Sequence, residues 1–244
     1  KMLRALIDGN LNRFVRDSGG AGALLFNGRK VTPQLFFETH FGQRGYRFSL
    51  VPTPADEFAL EDEARFYAGG NTGWWLLGDS NDGKSKLVAE VLENQPNARY
   101  SRPVYDAIAS WQNYHFHDTS ESAKVKQIHR INDNDYLRED GANLAAFLFR
   151  LQKNHPSHYK RIVRTIRMVA PYFGDFYLRA TPDNLDSIQL EWTEKDHDIP
   201  FKASELSDGT LRFILLATVL LQPEEFMPSA IIVDEPELGL HPYA

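Results

Sequence analysis

At 244 residues and 42% hydrophobic content the chain can bury a sizeable core, as one large domain or as a domain with an inserted lobe. A net charge of −6 gives no global attraction to nucleic acid, and the lack of cysteine excludes disulfides, a thiolate metal site and a thiol nucleophile. No apolar run approaches the ~20 residues needed to cross a bilayer and no signal-peptide pattern opens the chain, so a cytoplasmic protein with no membrane partner is expected.

Residues 1 to 16 read as a helix with Leu3, Leu6, Ile7, Leu11, Phe14 and Val15 on one side, ended by Gly19-Gly20-Ala21-Gly22. Leu35 to Phe41 and Tyr46 to Val51 flank a Gly42–Gly45 turn and predict a hairpin, with Phe58 to Tyr67 as a third strand. This small antiparallel lobe is expected over residues 31 to 70. Next comes Gly78-Asp-Ser-Asn-Asp-Gly83-Lys84-Ser85, a match to Gly-x₄-Gly-Lys-Ser between a possible strand, Trp74 to Leu77, and a possible helix, Leu87 to Leu92. Two readings stand. The segment is either a phosphate loop or a turn-rich lookalike, and Asp79 and Asp82 count against the first because both would repel a polyphosphate.

Ala107 to Trp111 is apolar enough for core, and His115, His117 and Asp118 read as surface groups, the i, i+2 spacing being poor for a shared helix face. A mainly helical insertion is expected over 104 to 170. Its stretch from His158 to Val169 alternates Ile162, Val163, Ile166 and Val169 with Lys160, Arg161, Arg164 and Arg167, an amphipathic helix whose basic side faces out; a phosphate-backbone contact is the sharper alternative. Phe176 to Leu178 and Ser187 to Trp192 then read as strands, with Ile188, Leu190 and Trp192 inward.

The most informative part spans 202 to 244. Ser207-Asp208-Gly209-Thr210 opens an apolar helix that runs from Leu211 to Leu221, and such a turn offers backbone amides and a positive dipole end to a phosphate. Ala230 to Val233 reads as a buried parallel strand delivering Asp234 and Glu235 at its C-terminal edge, before Pro236 stops the ladder. An aspartate there can hold Mg²⁺, directly or through water, and a second carboxylate can take the proton of a water attacking a γ-phosphate. An ordinary N-cap and a polar strand end account for each piece singly.

Leu206 to Thr210 resembles the signature motif of ABC-type ATPases, and Ile231 to Glu235 resembles their Walker B strand. Glu237-Leu238-Gly239-Leu240-His241-Pro242 is similar to the D-loop region of the RecF-like and chromosome-segregation-type branch, often described as predicted AAA-family ATPases. Leu137 to Leu144, with the helix Ala145 to Lys153, is similar to the stretch between that family's β-rich lobe and its signature helix. The resemblance implies an α/β P-loop NTPase of ABC type, with ATP and Mg²⁺ as cofactors and an ATP-dependent homodimer. In it Ser207 and Gly209 reach the γ-phosphate of a partner's ATP, Asp234 and Glu235 act in cis, and Gly239, Leu240 and His241 form the D-loop. Asp208 and Thr210 depart from the commonest Gly and Gln, which bears on turnover more than on binding.

In the resembled family the phosphate loop precedes the β lobe. On that order Gly78, Gly83, Lys84 and Ser85 are a lookalike, and the chain is expected to be a fragment lacking its N-terminal P-loop and a C-terminal strand. The expected activity is Mg²⁺-dependent ATP hydrolysis coupled to dimerisation, in DNA repair, segregation or defence, with DNA or a nuclease or effector protein as possible partners. Two alternatives remain: a non-hydrolysing nucleotide-dependent interaction module, and a kinase-like enzyme using Gly83, Lys84 and Ser85.

Overall fold

The computed structural model describes residues 1–70 and 72–237, and the chain divides into two compact units, Lys1–Trp111 and Gln112–Ala244. In the first, the continuous apolar stripe of residues 1 to 16 is carried by two helices, α1 (Met2–Ile7) and α2 (Leu11–Asp17). The break falls at Gly9, whose φ of +72° lies in the left-handed region that glycine enters without a Cβ penalty. Hydrophobic periodicity reads through such a break because the stripe itself stays on one side.

After the short α3 (Ala21–Leu24), four strands form an antiparallel meander: β1 (Leu35–Phe41), β2 (Arg44–Pro52), β3 (Phe58–Tyr67) and β4 (Gly73–Ser80), in the order β1-β2-β3-β4. The fourth strand carries the lobe past residue 70 and takes in Gly78. Period-two alternation gives the sheet one buried face. Tyr46, Phe48 and Leu50 of β2 and Phe58 and Leu60 of β3 pack with Leu6, Ile7, Leu11 and Val15 of the N-terminal helices, and with Leu87 of α4 (Lys86–Leu92) and Val104 and Ile108 of α5 (Ala98–Ala109).

In the second unit β5 (Gln112–Tyr114) precedes a 3-10 turn at Lys124–Lys126, the two-residue β6 (His129–Arg130), and the helices α6 (Leu144–Asn154) and α7 (Pro156–Val169). Pro156 starts α7 where its missing N–H leaves no gap. Ile162, Val163 and Ile166 are buried, while Lys160, Arg161 and Arg164 face outward on the same helix.

The strand expected over Ser187 to Trp192 is two strands in different sheets. β9 (Asn184–Ile188) lies between β6 and β8 (Ala180–Thr181), whereas β10 (Glu191–Glu194) lies between β7 (Phe173–Phe176) and β11 (Phe201–Lys202). Ile188, Leu190 and Trp192 are all buried, so the inward alternation continues through the crossover. Trp192 stacks on Phe173 with ring centroids 5.7 Å apart.

The last helix, α8 (Asp208–Leu221), runs through the centre of this unit's core. Its Leu211, Ile214 and Leu215 are at most 1% exposed and share one apolar cluster with Phe147, Leu148 and Leu151 of α6 and Ile162 and Ile166 of α7. A 3-10 turn at Glu224–Phe226 then leads to β12 (Ile231–Val233), which pairs in parallel with β5. No helix among the described residues is long and apolar enough to cross a membrane.

Candidate functional site

β12 and β5 run the same way, with Ile231 opposite Gln112 and Val233 opposite Tyr114, so the residues that follow both strands emerge at one edge. The Asp234 amide still donates to the Tyr114 carbonyl, at 3.3 Å, and the ladder ends there. Glu235 has a φ of +45°, a left-handed backbone that is uncommon for a residue with a side chain and is found most often where surrounding structure enforces it. Asp234 and Glu235 thus leave the strand on a sharp backbone turn, and a concavity beside them is lined by Phe116, His117, Arg212, Leu216, Val233 and Pro236.

Two of these residues, His117 and Arg212, carry no sequence signal that places them in this site. His117 is a surface group, as its spacing suggests, and its Nε2 lies 3.6 Å from the Asp234 carboxylate. Arg212, inside α8, donates to the carbonyls of Phe116 and His117 at 3.1 and 2.9 Å. Its guanidinium fixes the segment after β5 to the helix that begins at Ser207. Only the parallel pairing of β5 with β12 brings these positions together, and that pairing leaves no local trace in the sequence.

The turn before α8 is a complete N-cap. Ser207 Oγ accepts from the Thr210 amide at 3.2 Å and lies 2.8 Å from the Thr210 hydroxyl, which is itself 3.1 Å from the Tyr172 hydroxyl. Among the described residues no acceptor is bonded to the amides of Asp208 or Gly209. Free amides at the head of a 14-residue helix can receive an anion.

Leu137 to Leu144 supports α8 from the other side. Asn143, fully buried, donates to the carbonyls of Asp133 and Tyr136 at 2.9 and 2.8 Å and accepts from the Arg138 amide at 2.9 Å. Gly141 has a φ of +69° and sits against Leu215 of α8 with no room for a Cβ.

The Gly78–Ser85 segment is a strand, loop and helix, but β4 is the outer strand of an antiparallel meander and the helix start is already filled by a carboxylate. Glu63, 0% exposed, accepts from the amides of Lys86 and Leu87 at 2.6 and 3.2 Å, from Ser85 Oγ at 2.5 Å and from the Tyr46 hydroxyl at 2.7 Å. Ser85 caps α4 by accepting from the Val88 amide at 3.1 Å. The Lys84 ammonium points outward, 80% exposed, to a 3.0 Å pair with Asp82. Asp82 is held down to about 2, chiefly by hydrogen bonds from the Ser80 hydroxyl and Lys84. Gly83 has a φ of +69°, and a Cβ there would meet Phe58 O and Asn12 Oδ1 at 2.9 Å.

Residues 2–244 match the family model described as AAA domain, putative AbiEii toxin, Type IV TA system. The chain belongs to this AAA-domain family. No curated protein and no solved structure matches it. An AAA domain is a P-loop NTPase with an α/β fold, which accords with the mixed helices and sheets of both units and carries nucleotide binding and hydrolysis, usually with Mg²⁺.

Asp234 offers an exposed carboxylate of hard oxygens, and no cluster of three or more His, Cys, Asp or Glu exists among the described residues. A Mg²⁺ bound here would therefore share its coordination among one or two carboxylates, water and phosphate oxygens, which is its usual habit in ATPases. Gly239, Leu240 and His241, expected as the D-loop, lie outside the described residues.

Proposed function

We propose that this AAA domain works as an ABC-type composite ATPase of the RecF-like branch, in which ATP binding and Mg²⁺-dependent hydrolysis are coupled to dimerisation. The observation that carries the reading is the arrangement within one unit of the capped Ser207-Asp208-Gly209 turn at the head of α8 and the Asp234–Glu235 pair at the end of a parallel strand. In each protomer Asp234 and Glu235 serve the nucleotide in cis, and Ser207 and Gly209 serve the partner's nucleotide in trans.

Asp234 would hold the hydrated Mg²⁺, and the ion would supply neutralisation of the phosphate charge. Glu235 accepts a proton from the attacking water as its oxygen bonds to the γ-phosphorus and the bond to the ADP oxygen breaks. The Ser207 hydroxyl and the free amides of Asp208 and Gly209 donate to the partner's γ-phosphate.

On this reading Gly78, Gly83, Lys84 and Ser85 are not the phosphate loop, because an incoming phosphate would have to displace Glu63 from the head of α4. The kinase-like alternative loses its site by the same argument. A role in DNA repair, segregation or defence, with DNA or an effector protein as partner, is supported by the resemblance of the signature and Walker B segments, and its defence part by the toxin–antitoxin description of the matched family. Glu235→Gln in the full-length protein tests the chemistry: turnover should fall about 10²- to 10⁴-fold, the usual contribution of a general base, while ATP binding persists. Undiminished turnover would refute the assignment.

A further inference from the structure

An ammonium group lies behind the turn that opens α8, and the site as described makes no use of it. Lys126 stands in the 3-10 turn Lys124–Lys126, its side chain only 7% exposed. Its Nζ donates to the Thr119 carbonyl at 2.6 Å and lies 3.9 Å from the Asp208 carboxylate. Asp208 is 64% exposed, so the pair has a buried cation behind an outward-facing acid. Asp118, on the same connection, is held below the usual carboxylate range, first by the Ser120 hydroxyl and amide and more weakly by the charges of Lys126 and Lys124.

Both halves of this pair call for a reason. A buried ammonium is costly unless something requires its charge. An acid at the second position of a turn that presents amides to a phosphate opposes the very ligand the turn suits. Each cost offsets the other if the lysine cancels the field of the acid at the head of the helix.

We infer that Lys126 is a positioning residue of the composite site: it neutralises Asp208, so that the Ser207–Gly209 turn can approach a polyphosphate on a second copy of the chain. The inference rests on the composite-site reading. It names the residue that makes an acid tolerable at position 208.

The test uses the full-length protein with Mg²⁺ and the non-hydrolysable analogue AMP-PNP, and reads the dimer dissociation constant by sedimentation. Lys126→Met should weaken the dimer about tenfold, and Asp208→Asn added to it should restore assembly to within about threefold of wild type, a coupling of the size found for neighbouring charges. A purely structural role for Lys126 would leave the double variant as weak as the single one, and that result overturns the inference, as does a Lys126→Met dimer as tight as wild type. Should Lys126→Met fail to fold, Asp208→Asn alone decides. It replaces an exposed group and should preserve or tighten the dimer, whereas tenfold weakening refutes the neutralising role. Ser207→Arg is the control: if it leaves the dimer intact the composite reading itself fails, and if it breaks the dimer while Lys126→Met does not, only the inference fails.

Discussion

Glu63 is the buried group on which the first unit depends most visibly, and Glu63→Ala is the sharpest test of that dependence. Its carboxylate accepts four hydrogen bonds, from Tyr46, Ser85 and the amides of Lys86 and Leu87, in a site that is 0% exposed. Hydrogen bonds to charged groups contribute about 1.5–3 kcal/mol each, but these four share one acceptor. The Tyr46 and Ser85 hydroxyls already lie 3.4 Å apart and can turn to each other when it is gone. The expected loss is therefore about 3–5 kcal/mol, as for other buried charged groups deprived of a partner. With a urea dependence of about 1–3 kcal/mol per molar, the unfolding midpoint of this unit should fall by about 1–5 M.

Unfolding of the full chain can be followed by tryptophan fluorescence, and hydrogen exchange at the Lys86 and Leu87 amides reports the helix start directly. A midpoint unchanged within error, with both amides still protected, would refute the reasoning. The pH dependence has a definite sign. Burial pushes the Glu63 carboxyl above its ordinary 4.5, although Ser85, Tyr46 and the two amides pull it back. Between the unfolded and folded values the native state binds more protons, so stability from this group is present below about 4.5 and lost as pH rises through the raised value. The stability difference between wild type and Glu63→Gln should shrink with rising pH across that window, whatever the other carboxylates do.

Three further outcomes follow from the same contacts. Lys84→Ala removes only an exposed ion pair, so ATP affinity should stay within about twofold and stability within about 1 kcal/mol; a collapse of nucleotide binding by calorimetry would return the phosphate site to this loop. Phe147→Ala opens a cavity at a fully buried ring in contact with Phe226 and should cost about 3–5 kcal/mol in denaturant unfolding. Gly83→Ala forces a Cβ into a left-handed position against Phe58 O and Asn12 Oδ1, and should destabilise by about 1–3 kcal/mol, with α4 amides exchanging faster.

What could be read from sequence was local. The alternation of Tyr46, Phe48 and Leu50 marks one sheet face, the spacing of Ile162, Val163 and Ile166 marks one helix face, and Ser207 followed by an apolar run marks a capped helix. In each, the signal lies within a few residues of the thing signalled. The break at Gly9 is not legible in the pattern, because a turn can interrupt a helix without moving its apolar stripe. The crossover at Gln189 and Leu190 is equally hidden, because alternation continues when a chain passes from one sheet to the next.

The candidate site divides in the same way. Asp234, Glu235, Ser207 and Gly209 sit in segments whose order and residue types carry the chemistry. His117 and Arg212 enter only through the pairing of β5 with β12, across more than a hundred residues of chain, and Lys126 through the packing of a short 3-10 turn beneath α8. Glu63 is the clearest case of an unreadable group: nothing local distinguishes it from Glu61, yet one is exposed and the other closes a helix start.

The central claim is that nucleotide joins two copies of this chain through Ser207 and Gly209, with Glu235 limiting turnover. Its most direct test is the mass of the full-length protein in solution with ATP and Mg²⁺, by light scattering, for wild type, Glu235→Gln and Glu235→Gln combined with Ser207→Arg. A stable dimer for Glu235→Gln that reverts to monomer when Ser207→Arg is added is the predicted result. A mass that does not depend on ATP, or a dimer indifferent to Ser207→Arg, would contradict it.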